Sequence, residues 1–547
     1  MPTIQFKGKN VIWNHHLSVP YHTLEEIEDL HFQPKKGDGN IIVEGDNLLA
    51  LKALLPQYAG KVKCIYIDPP YNTGNDNGKG NGWVYNDNVN SPLIKTWLGK
   101  EVGSDDLTKH DKWLCMMTPR LKMLRDLLAE DGAIYISTDN IEYATLKVLM
   151  DEIFGATNFV GVLIWRKKEG GGQTDQFFAT EHEYITVYRK SENFEWIDEE
   201  IEADDSEFSY EDDDGKYKTV KLAKWGNTSR KEDRPKMHFP IYDNFNNKYL
   251  PIAPDGNPGR WRVGKKRMAV LEKDKLIEFK ENRNGDVIPY EKVYYDEDDL
   301  KVIKERSIIY ELANTGDGTK ALTKLFGTKD QFENPKPVEL ISWILNYNTK
   351  ENDIILDSFA GSGTTMHAVN ELNKEDGGNR KCILVQMTEE SEQEPDKNIA
   401  KDITRERNKL AIEKYGYNSG FKYYRVGNAI DPEAMLEGEL PAYTDFANYV
   451  YYLGTGEHLA AVDKIDQNTH FVGTHGPKNF YLIYEQDFDT LSRLALNLQI
   501  IEKIIEHSKG KRIVVYAPAC FLDDEYLEEK QIEYVSIPYN LFEKSEE

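Results

Sequence analysis

Short apolar runs alternate with amphipathic segments along most of the chain. Residues 62–67 form a run of six residues rich in Val and Ile, too short to show a helical period, and prolines follow it at positions 69 and 70. Such a run predicts a buried strand that ends before the prolines. Residues 113–128 have helical spacing, the pair Asp131-Gly132 is expected to end that helix, and 133–137 is the next apolar run. This alternation predicts an α/β fold.

The same patterns predict the remaining elements. Helices are expected at residues 141–154, 338–345 and 491–505, and strands at 160–165, 181–190, 353–357 and 382–386. Three further strands, near 481–484, 513–517 and 533–537, predict a separate α/β unit over residues 440–547. Residues 72–110 are crowded with Gly and Asn, so a long loop is expected there.

The charge changes sign in the middle of the chain. The formal net charge of the whole sequence is -26, but residues 216–283 contain 18 Lys and Arg against 8 Asp and Glu, directly after the acidic segment 195–214. A chain this acidic does not coat nucleic acid by bulk electrostatics, so any contact requires a local basic surface. The basic segment predicts such a surface for phosphate contacts, and a merely solvated surface is the alternative. The candidate residues are Arg260, Arg262, Lys265, Lys266 and Arg267.

Length and composition limit the class of protein. The chain has 547 residues, 39% of them hydrophobic, which predicts several globular domains. No stretch reaches the roughly 18 apolar residues of a membrane span, so a soluble, cytoplasmic protein without membrane contact is expected. The four cysteines are scattered, and we predict neither disulfides nor a metal site.

The first candidate chemistry, Asp68-Pro69-Pro70-Tyr71, stands at the end of the strand predicted for residues 62–67. Open α/β sheets bind their ligands at the carboxyl ends of the strands. Asp68 and a proline carbonyl can each accept an N–H bond from an exocyclic amine, and the Tyr71 ring can stack on a planar base. These groups suit a nucleobase that carries an amine, and an ordinary turn after a strand is the alternative.

A glycine-rich turn follows the strand predicted for residues 353–357. Residues 358–365 read SFAGSGTT, and Gly361 and Gly363 would let a ligand approach the backbone over the N-terminus of the next helix. The turn lacks the Gly-Lys-Ser/Thr of a P-loop and the third glycine of the dinucleotide fingerprint, which disfavours a nicotinamide dehydrogenase. At the end of the next strand, Gln386 stands where an acid usually binds the ribose.

Together the two motifs resemble those of the amino-methyltransferases of DNA, which use S-adenosylmethionine. The Asp68 motif precedes the glycine turn, as in the permuted beta class. The chain looks most like the modification (Mod) subunit of type III restriction-modification systems. The shared runs are Gly45-Asp46-Asn47, DPPYNTG at 68–74, TPRLKML at 118–124, HEYI at 182–185, NPKP at 334–337 and ILVQ at 383–386.

This resemblance implies a Rossmann-like methyltransferase sheet with an inserted target-recognition domain and a small C-terminal α/β domain. The expected domains are an N-terminal segment with the catalytic half at 1–194, the target-recognition domain at 195–330, the cofactor-binding half at 331–430, and a C-terminal domain at 440–547 as a dimer or partner interface. The expected partners are double-stranded DNA, a second copy of the chain and a separate restriction subunit with helicase and nuclease activity.

The resemblance also implies roles for single residues. Asp68, Pro69, Pro70 and Tyr71 would be catalytic and would orient the N6 amine of a flipped-out adenine. S-adenosyl-L-methionine would be bound by Asp46, Asn47, Lys336, Asp357, Phe359, Gly361, Gly363, Thr364 and Gln386. For Asp46 and Asn47, capping of the following helix is the structural alternative.

Two other functions remain open at this point. Methylation of the cytosine N4 amine suits the same motif, although Asp rather than Ser at position 68 favours adenine in this family. A DNA-binding specificity subunit with decayed catalysis is the second alternative, and the intact Asp68, Tyr71 and Gly361 disfavour it.

Overall fold

The computed structural model describes residues 3–37, 39–71, 109–170, 177–201, 205–282, 285–296, 301–329, 331–390, 396–430, 435, 440–457, 459 and 464–537. Most of the loop expected at 72–110 lies outside these residues. The chain divides into two compact units. The larger unit comprises Met1–Ile197 and Arg306–Glu547, and the smaller unit is Asp198–Glu305.

The strands of both units are numbered in chain order. They are β1 (Tyr21–Glu26), β2 (Ile41–Glu44), β3 (Val62–Ile67), β4 (Leu128–Thr138), β5 (Phe159–Arg166), β6 (His182–Arg189), β7 (Glu199–Ile201), β8 (Tyr210–Asp212), β9 (Gly215–Lys221), β10 (Ile241–Tyr242), β11 (Lys248–Tyr249), β12 (Ile277–Glu281), β13 (Val287–Tyr294), β14 (Lys301–Ile303), β15 (Ile308–Ile309), β16 (Ile354–Asp357), β17 (Lys381–Gln386), β18 (Lys422–Ile430), β19 (Phe471–His475), β20 (Lys478–Leu482), β21 (Arg512–Ala517) and β22 (Ile532–Ser536).

The α-helices are numbered in the same way. They are α1 (Lys9–Ile12), α2 (His15–Ser18), α3 (Asn47–Tyr58), α4 (Lys109–Leu127), α5 (Tyr143–Phe154), α6 (Lys265–Lys273), α7 (Thr315–Phe326), α8 (Val338–Asn346), α9 (Thr364–Asp376), α10 (Glu406–Tyr415), α11 (Tyr443–Thr455), α12 (Phe488–Leu491), α13 (Leu498–Ser508) and α14 (Asp524–Glu529). A π-helical turn, Ala400–Arg405, leads into α10.

A ten-stranded mixed sheet is the centre of the larger unit. Its strand order is β1-β18-β2-β17-β16-β3-β4-β6-β5-β15, and the run from β18 to β4 is parallel. The strands β6 and β1 pair antiparallel with their neighbours. The predicted α/β fold is therefore confirmed, as a large mixed sheet.

The side chains of β3 show how the sheet is covered on both faces. Ile65 and Ile67 pack in a core with apolar residues of α3, α4 and α5. Cys64 and Tyr66 point to the opposite core, which contains apolar residues of α8 and α9. A strand buried on both faces reads as a continuous apolar run, which explains why residues 62–67 show no polar alternation.

Two predicted helices differ from those observed by more than a shift of their ends. Asp131-Gly132 does not end a helix, because α4 ends at Leu127 and both residues lie inside β4. The register between β3 and β4 shifts at this point, so β4 accommodates the polar pair as an irregularity. The helix predicted at 491–505 is two helices, α12 and α13, and the side chain of Asn497 caps the second by accepting the N–H of Ile500.

A second sheet forms at the C-terminal end of the larger unit, in the order β19-β20-β21-β22. The β19–β20 pair is antiparallel and the other two pairs are parallel. Helix α11 ends at Gly456, which adopts a left-handed conformation with φ 70°. Among the described residues, no helix is long and apolar enough to cross a membrane.

The smaller unit has its own sheet and core. The strands β12-β13-β9-β8 form an antiparallel sheet, and β10 and β11 form a separate hairpin. Trp261 is fully buried in the core, and its indole N–H donates to the carbonyl of Phe239 at 2.7 Å. Leu222, Ile241, Met268 and Leu271 complete this core.

Candidate active site

The two sequence motifs meet at the carboxyl ends of two central strands of the large sheet. Strands β3 and β16 are parallel neighbours, with Leu356 opposite Ile65. Their carboxyl ends therefore lie side by side, and Asp68 faces the turn that follows Asp357. A cavity of about 80 Å³ lies between them and is lined by residues of both motifs, including Asp68, Lys336 and Phe359.

Both carboxylate oxygens of Asp68 accept hydrogen bonds. The hydroxyl of Tyr71 donates to Oδ1 at 2.6 Å, and the ammonium of Lys336 lies 2.9 Å from Oδ2. Lys336 also donates to the Tyr71 hydroxyl at 2.8 Å. Lys336, which we predicted as a cofactor residue, therefore lies among the residues predicted to be catalytic.

Glu183 is a fourth member of this cluster that the sequence analysis did not assign to the site. It lies on β6 and is only 5% exposed. Its Oε2 accepts from the Tyr71 hydroxyl and lies 3.0 Å from Lys336, and its Oε1 accepts from Lys167 at 3.0 Å. The available signal was the HEYI run at 182–185, whose acid falls at the start of a strand.

Burial and charge set the proton affinities of the cluster. Burial raises the pKa of Asp68 above its ordinary value, against the opposing effect of Lys336. Burial also acts to raise the pKa of Glu183, but Lys336 and Lys167 outweigh it and lower the pKa below its ordinary value. Although burial alone would lower the pKa of Lys336, the two carboxylates raise it. Lys336 therefore stays charged, and its charge is shared between two acids.

The proline carbonyls differ in what they already bind. The indole N–H of Trp113 donates to the carbonyl of Pro70 at 2.7 Å. Trp113 is fully buried on α4, so this bond fixes the segment after β3 against the core. The carbonyl of Pro69 does not accept this bond from Trp113, so Pro69 is the better candidate for the proline acceptor of the amine.

The glycine turn is fixed by hydrogen bonds to Asp357, which precedes it, and to Gln386, which ends the neighbouring strand β17. Asp357 accepts from the backbone N–H of Phe359 at 3.0 Å and from the Thr365 hydroxyl at 2.5 Å. The backbone N–H of Gly361 donates to the side-chain oxygen of Gln386 at 2.7 Å. Asp357 and Gln386, both predicted to bind the cofactor, thus hold the conformation of the turn.

The two glycines of the turn have different neighbours. Gly361 has φ 50°, and a Cβ there would meet the ring of Phe332 at 3.0 Å. Gly363 has φ 77°, and a Cβ there would meet the side-chain nitrogen of Asn408 at 2.5 Å. The direction that a Gly363 side chain would take is filled by the chain itself, so close packing against Asn408 requires glycine here, and a cofactor contact of its backbone stays a prediction.

Thr364 connects the glycine turn to the catalytic cluster. Its hydroxyl donates to the backbone carbonyl of Lys336 at 3.1 Å and accepts from the Arg407 guanidinium at 2.6 Å. Arg407 also donates to the Ser362 hydroxyl and is fully buried. Arg407 escaped the sequence analysis because nothing in its helical context, RERNKL, distinguishes it from a surface arginine.

Asp46 and Asn47 perform the structural role that was left as an alternative. Asp46 caps α3 by accepting the N–H of Leu48 at 2.8 Å. The side-chain nitrogen of Asn47 donates to the carbonyl of Ser358 at 3.0 Å, and its oxygen accepts from Arg120. Asn47 therefore ties the start of α3 to the glycine turn.

Within the smaller unit, the five candidate DNA-binding residues separate into three groups. Arg260 is 5% exposed and donates to the carbonyl of Thr228, so the structure corrects its assignment to a surface. Arg262 and Arg267 both pair with Glu291. Lys265 and Lys266, at the start of α6, are exposed. The described part of the chain contains no cluster of residues that could hold a metal ion.

Comparison with known proteins identifies the family. A family model described as DNA methylase matches residues 62–395. The EcoPI Mod subunit of a type III restriction-modification enzyme from Escherichia phage P1 is 35% identical over 407 residues, 68% of this chain and 61% of that protein. The type II methyltransferase M.KpnI of Klebsiella pneumoniae is 34% identical over 378 residues, 66% of this chain and 84% of that protein. The EcoP15I Mod subunit of Escherichia coli is 31% identical over 455 residues, 75% of this chain and 69% of that protein.

The chain therefore belongs to the DNA methylase family, and the prediction of this family is confirmed. S-adenosyl-L-methionine is the methyl donor of this class, as the resemblance implied. Within the family, the chain is similar to Mod subunits of type III systems.

Asp357 should make the stability of the protein depend on pH. Burial raises the pKa of this carboxyl from 3.8 to about 7. Between these values the unfolded chain loses the proton and the folded chain keeps it, so this group lowers the free energy of unfolding as pH rises from about 4 to about 7. We expect Asp357→Asn to lose this contribution. Thermal unfolding at pH 5 and pH 7.5 should show a smaller decrease in the variant, and equal decreases would contradict the prediction.

Proposed function

We propose that the chain transfers the methyl group of S-adenosyl-L-methionine to the N6 amine of adenine in double-stranded DNA. The observation that carries this proposal is the position of Asp68, a carboxylate at a strand end, across a cavity from the glycine turn. The cavity places an acceptor for an amine opposite a backbone segment suited to the donor of the methyl group.

The kinds of residue around the cavity support a cofactor site at the glycine turn. Phe359 and Ala360 line it, and the left-handed Gly361 leaves its backbone without a side chain on the side of Phe332. We propose that these residues hold the cofactor, that Asn47 and Gln386 keep the turn in place, and that Asp46 contributes at the adenosine end. When bound, the cofactor supplies an activated methyl group, so the protein needs little acid-base chemistry and contributes mainly orientation.

Tyr71 and Lys336 each occupy one oxygen of Asp68, so the adenine amine competes with them for this carboxylate and can exchange with one of them. Glu183 provides for this exchange. It already lies within hydrogen-bond distance of both partners, so either can keep an acceptor when the substrate takes its place on Asp68. We assign Glu183 as a positioning residue and the Pro69 carbonyl as the second acceptor for the amine.

Tyr71 is proposed to stack on the target base. An adenine inside a duplex hides its amine, so it must leave the helix at a cost of a few kcal/mol. Stacking on an aromatic ring offsets about 1–3 kcal/mol of that cost. The Lys336 ammonium lies 5.1 Å from the centre of the Tyr71 ring, within the range of a cation–π interaction.

The finer architecture is part of the proposal. We propose the permuted beta-class arrangement, with residues 195–330 as the target-recognition domain and 440–547 as a dimer or partner interface. The similarity to Mod subunits supports a role in a type III system, with a separate restriction subunit and a cytoplasmic location. The described core of the recognition domain would be the smaller unit.

The deciding experiment is incubation of the purified chain with isotopically labelled S-adenosyl-L-methionine and unmethylated DNA. Mass spectrometry of the digested product should find N6-methyladenine. Detection of N4-methylcytosine instead would show that the target base is cytosine and not adenine. Absence of any methylated base, with cofactor and DNA both bound, would favour a specificity subunit with decayed catalysis.

Gly361→Val should abolish cofactor binding in a folded protein. The substitution places a branched side chain at φ 50° and pushes it toward Phe332 beside the proposed cofactor site. Isothermal titration with S-adenosyl-L-methionine should detect no binding. The double variant Gly361→Val with Phe332→Ala is the control: recovered binding there would show that displacement of Phe332, and not the altered turn, caused the loss.

Replacing Lys265, Lys266 and Arg267 together by Ala should weaken DNA binding and flatten its salt dependence. Each lost phosphate contact removes about one released counterion, so the slope should decrease by about two to three. Fluorescence anisotropy over a range of salt concentrations measures this slope. The matched control replaces Lys503, Lys511 and Arg512 together by Ala, at exposed positions of the C-terminal region. An unchanged slope in the triple variant would place the phosphate contacts elsewhere.

A further inference from the structure

The hairpin formed by β10 and β11 presents an aromatic ring to solvent. Phe245 lies in its turn and is 87% exposed, and Tyr242 on β10 is 50% exposed. An apolar ring this exposed gains nothing from the fold of its own unit, since its burial contributes almost no stability. We therefore looked for a partner outside the unit that the Phe245 ring could contact.

The turn that carries Phe245 is held in one conformation. Asp243 Oδ1 accepts from the backbone N–H groups of Phe245 and Asn247, at 2.9 and 2.8 Å. Its Oδ2 accepts from the Asn247 side chain at 2.9 Å and from the Tyr249 hydroxyl at 3.0 Å. One carboxylate therefore makes four bonds across the hairpin and holds the exposed ring in place.

The turn also contains a backbone conformation that costs energy. Asn246 is left-handed, with φ 64°, although Asn tolerates this region better than most residues. Its backbone N–H donates to the Asp243 carbonyl at 3.0 Å, which closes the turn. A rigid turn that presents an aromatic side chain to solvent is typical of a recognition element.

The charges near the hairpin in the chain indicate an anionic partner. Lys231, Arg234, Lys236 and Lys248 are exposed, and they form no ion pair among the residues that the structure describes in this unit. Of the four acids between residues 231 and 255, three are engaged: Asp233 accepts the backbone N–H of Arg230, Asp255 pairs with the Arg230 side chain, and Asp243 holds the turn, while Glu232 is exposed.

Helix α6 places one cation close to the segment that leads into β10. The ammonium of Lys265 lies 5.6 Å from the centre of the Phe239 ring, and Phe239 stands two residues before β10. Exposed cations therefore stand on both sides of Phe245 in the chain, and Lys248 lies on the strand that follows its turn. A partner that offers both phosphates and flat apolar faces satisfies this combination, and duplex DNA is that partner.

We propose that Phe245 is a wedge that enters the DNA duplex and stacks on a base step. This inference rests on the proposed function, since it takes DNA as the substrate. Inserted apolar side chains partly unstack a step and bend the duplex, and the surrounding cations bind the backbone on either side. The rigid turn lowers the entropy that the ring would otherwise lose on binding.

The test compares three variants on a duplex carrying the site identified by sequencing the DNA that the wild-type protein methylates. Phe245→Ala should weaken binding about ten- to a hundredfold, the effect of one lost stacking contact. The slope of affinity against salt should stay unchanged, because the ring carries no charge. Phe245→Trp keeps a stacking face and should bind within a few-fold of the wild type.

Phe521→Ala is the matched control, because Phe521 is 78% exposed in the C-terminal region and has no proposed contact with DNA. 2-Aminopurine placed in turn at each step of the site other than the target base, which flips out in either protein, should brighten at one step with the wild type and at none with Phe245→Ala. Equal affinity and equal brightening in the two proteins would overturn the wedge. If instead the wild type fails to bind or methylate DNA, the proposed function fails, and the two failures are distinguishable.

Discussion

Replacing Asp68 by Ala should leave S-adenosyl-L-methionine binding intact and lower the rate of methyl transfer by about a hundred- to a thousandfold. Such losses are typical when one well-placed polar contact to the reacting group is removed. In the variant, the amine of the target base has no carboxylate to orient its lone pair toward the methyl group. Single-turnover kinetics at saturating DNA measures the effect, and isothermal titration checks the cofactor.

The structure explains why this variant should remain folded. Lys336 loses one carboxylate but keeps Glu183 at 3.0 Å, so no buried charge is left without a partner. Asp68→Asn is the control, because it retains one oxygen acceptor and should be less impaired. Glu183→Gln should lower the rate while the apparent affinity for DNA stays close to that of the wild type, as expected of a positioning residue. Wild-type rates in Asp68→Ala would refute its proposed role.

Tyr71→Ala should reduce activity about ten- to a hundredfold, and Tyr71→Phe should retain most of it. The alanine variant loses a stacking contact of about 1–3 kcal/mol with the flipped base. The phenylalanine variant keeps the ring and loses the hydroxyl bonds with Asp68, Glu183 and Lys336. Fluorescence of 2-aminopurine at the target position measures base flipping, and the methylation rate on the natural site measures methyl transfer.

The comparison between Tyr71→Ala and Tyr71→Phe distinguishes stacking of the ring from hydrogen bonding by the hydroxyl. If stacking is the role of Tyr71, fluorescence and rate decrease together in the alanine variant and neither decreases much in the phenylalanine variant. Equal losses in both variants would show instead that the hydroxyl is what matters. In that case the bond to Asp68 at 2.6 Å would be the functional contact of Tyr71.

The positions of the two motifs could be predicted because each follows a short apolar run. The strand predicted at 62–67 is β3 with the same bounds, and the strand predicted at 353–357 is β16, one residue shorter. A strand buried on both faces has a local signature in its side chains. Since parallel strands end at a common edge, the meeting of Asp68 with the glycine turn followed from these two signatures.

What could not be predicted depends on contacts between distant segments. Glu183 and Arg407 are defined by their partners, which stand far away in the chain. Gly363 has the same motif context as Gly361, yet its close neighbour Asn408 belongs to a later helix. Arg260 lies in a basic run but points into the core of the smaller unit. Local pattern does not distinguish such residues from surface residues of the same type.

The pairing of β3 with β16 also has a consequence for how the protein is made. Ile65 and Leu356 are neighbours in the sheet but are 291 residues apart in the chain. At about 5–20 residues per second, a ribosome needs roughly 15–60 s to synthesise the intervening segment. During that time one edge of the nascent β3 has no partner, which makes it a site for aggregation. The smaller unit is a single continuous segment with its own core, so it can fold first, while the two halves of the active site are still apart.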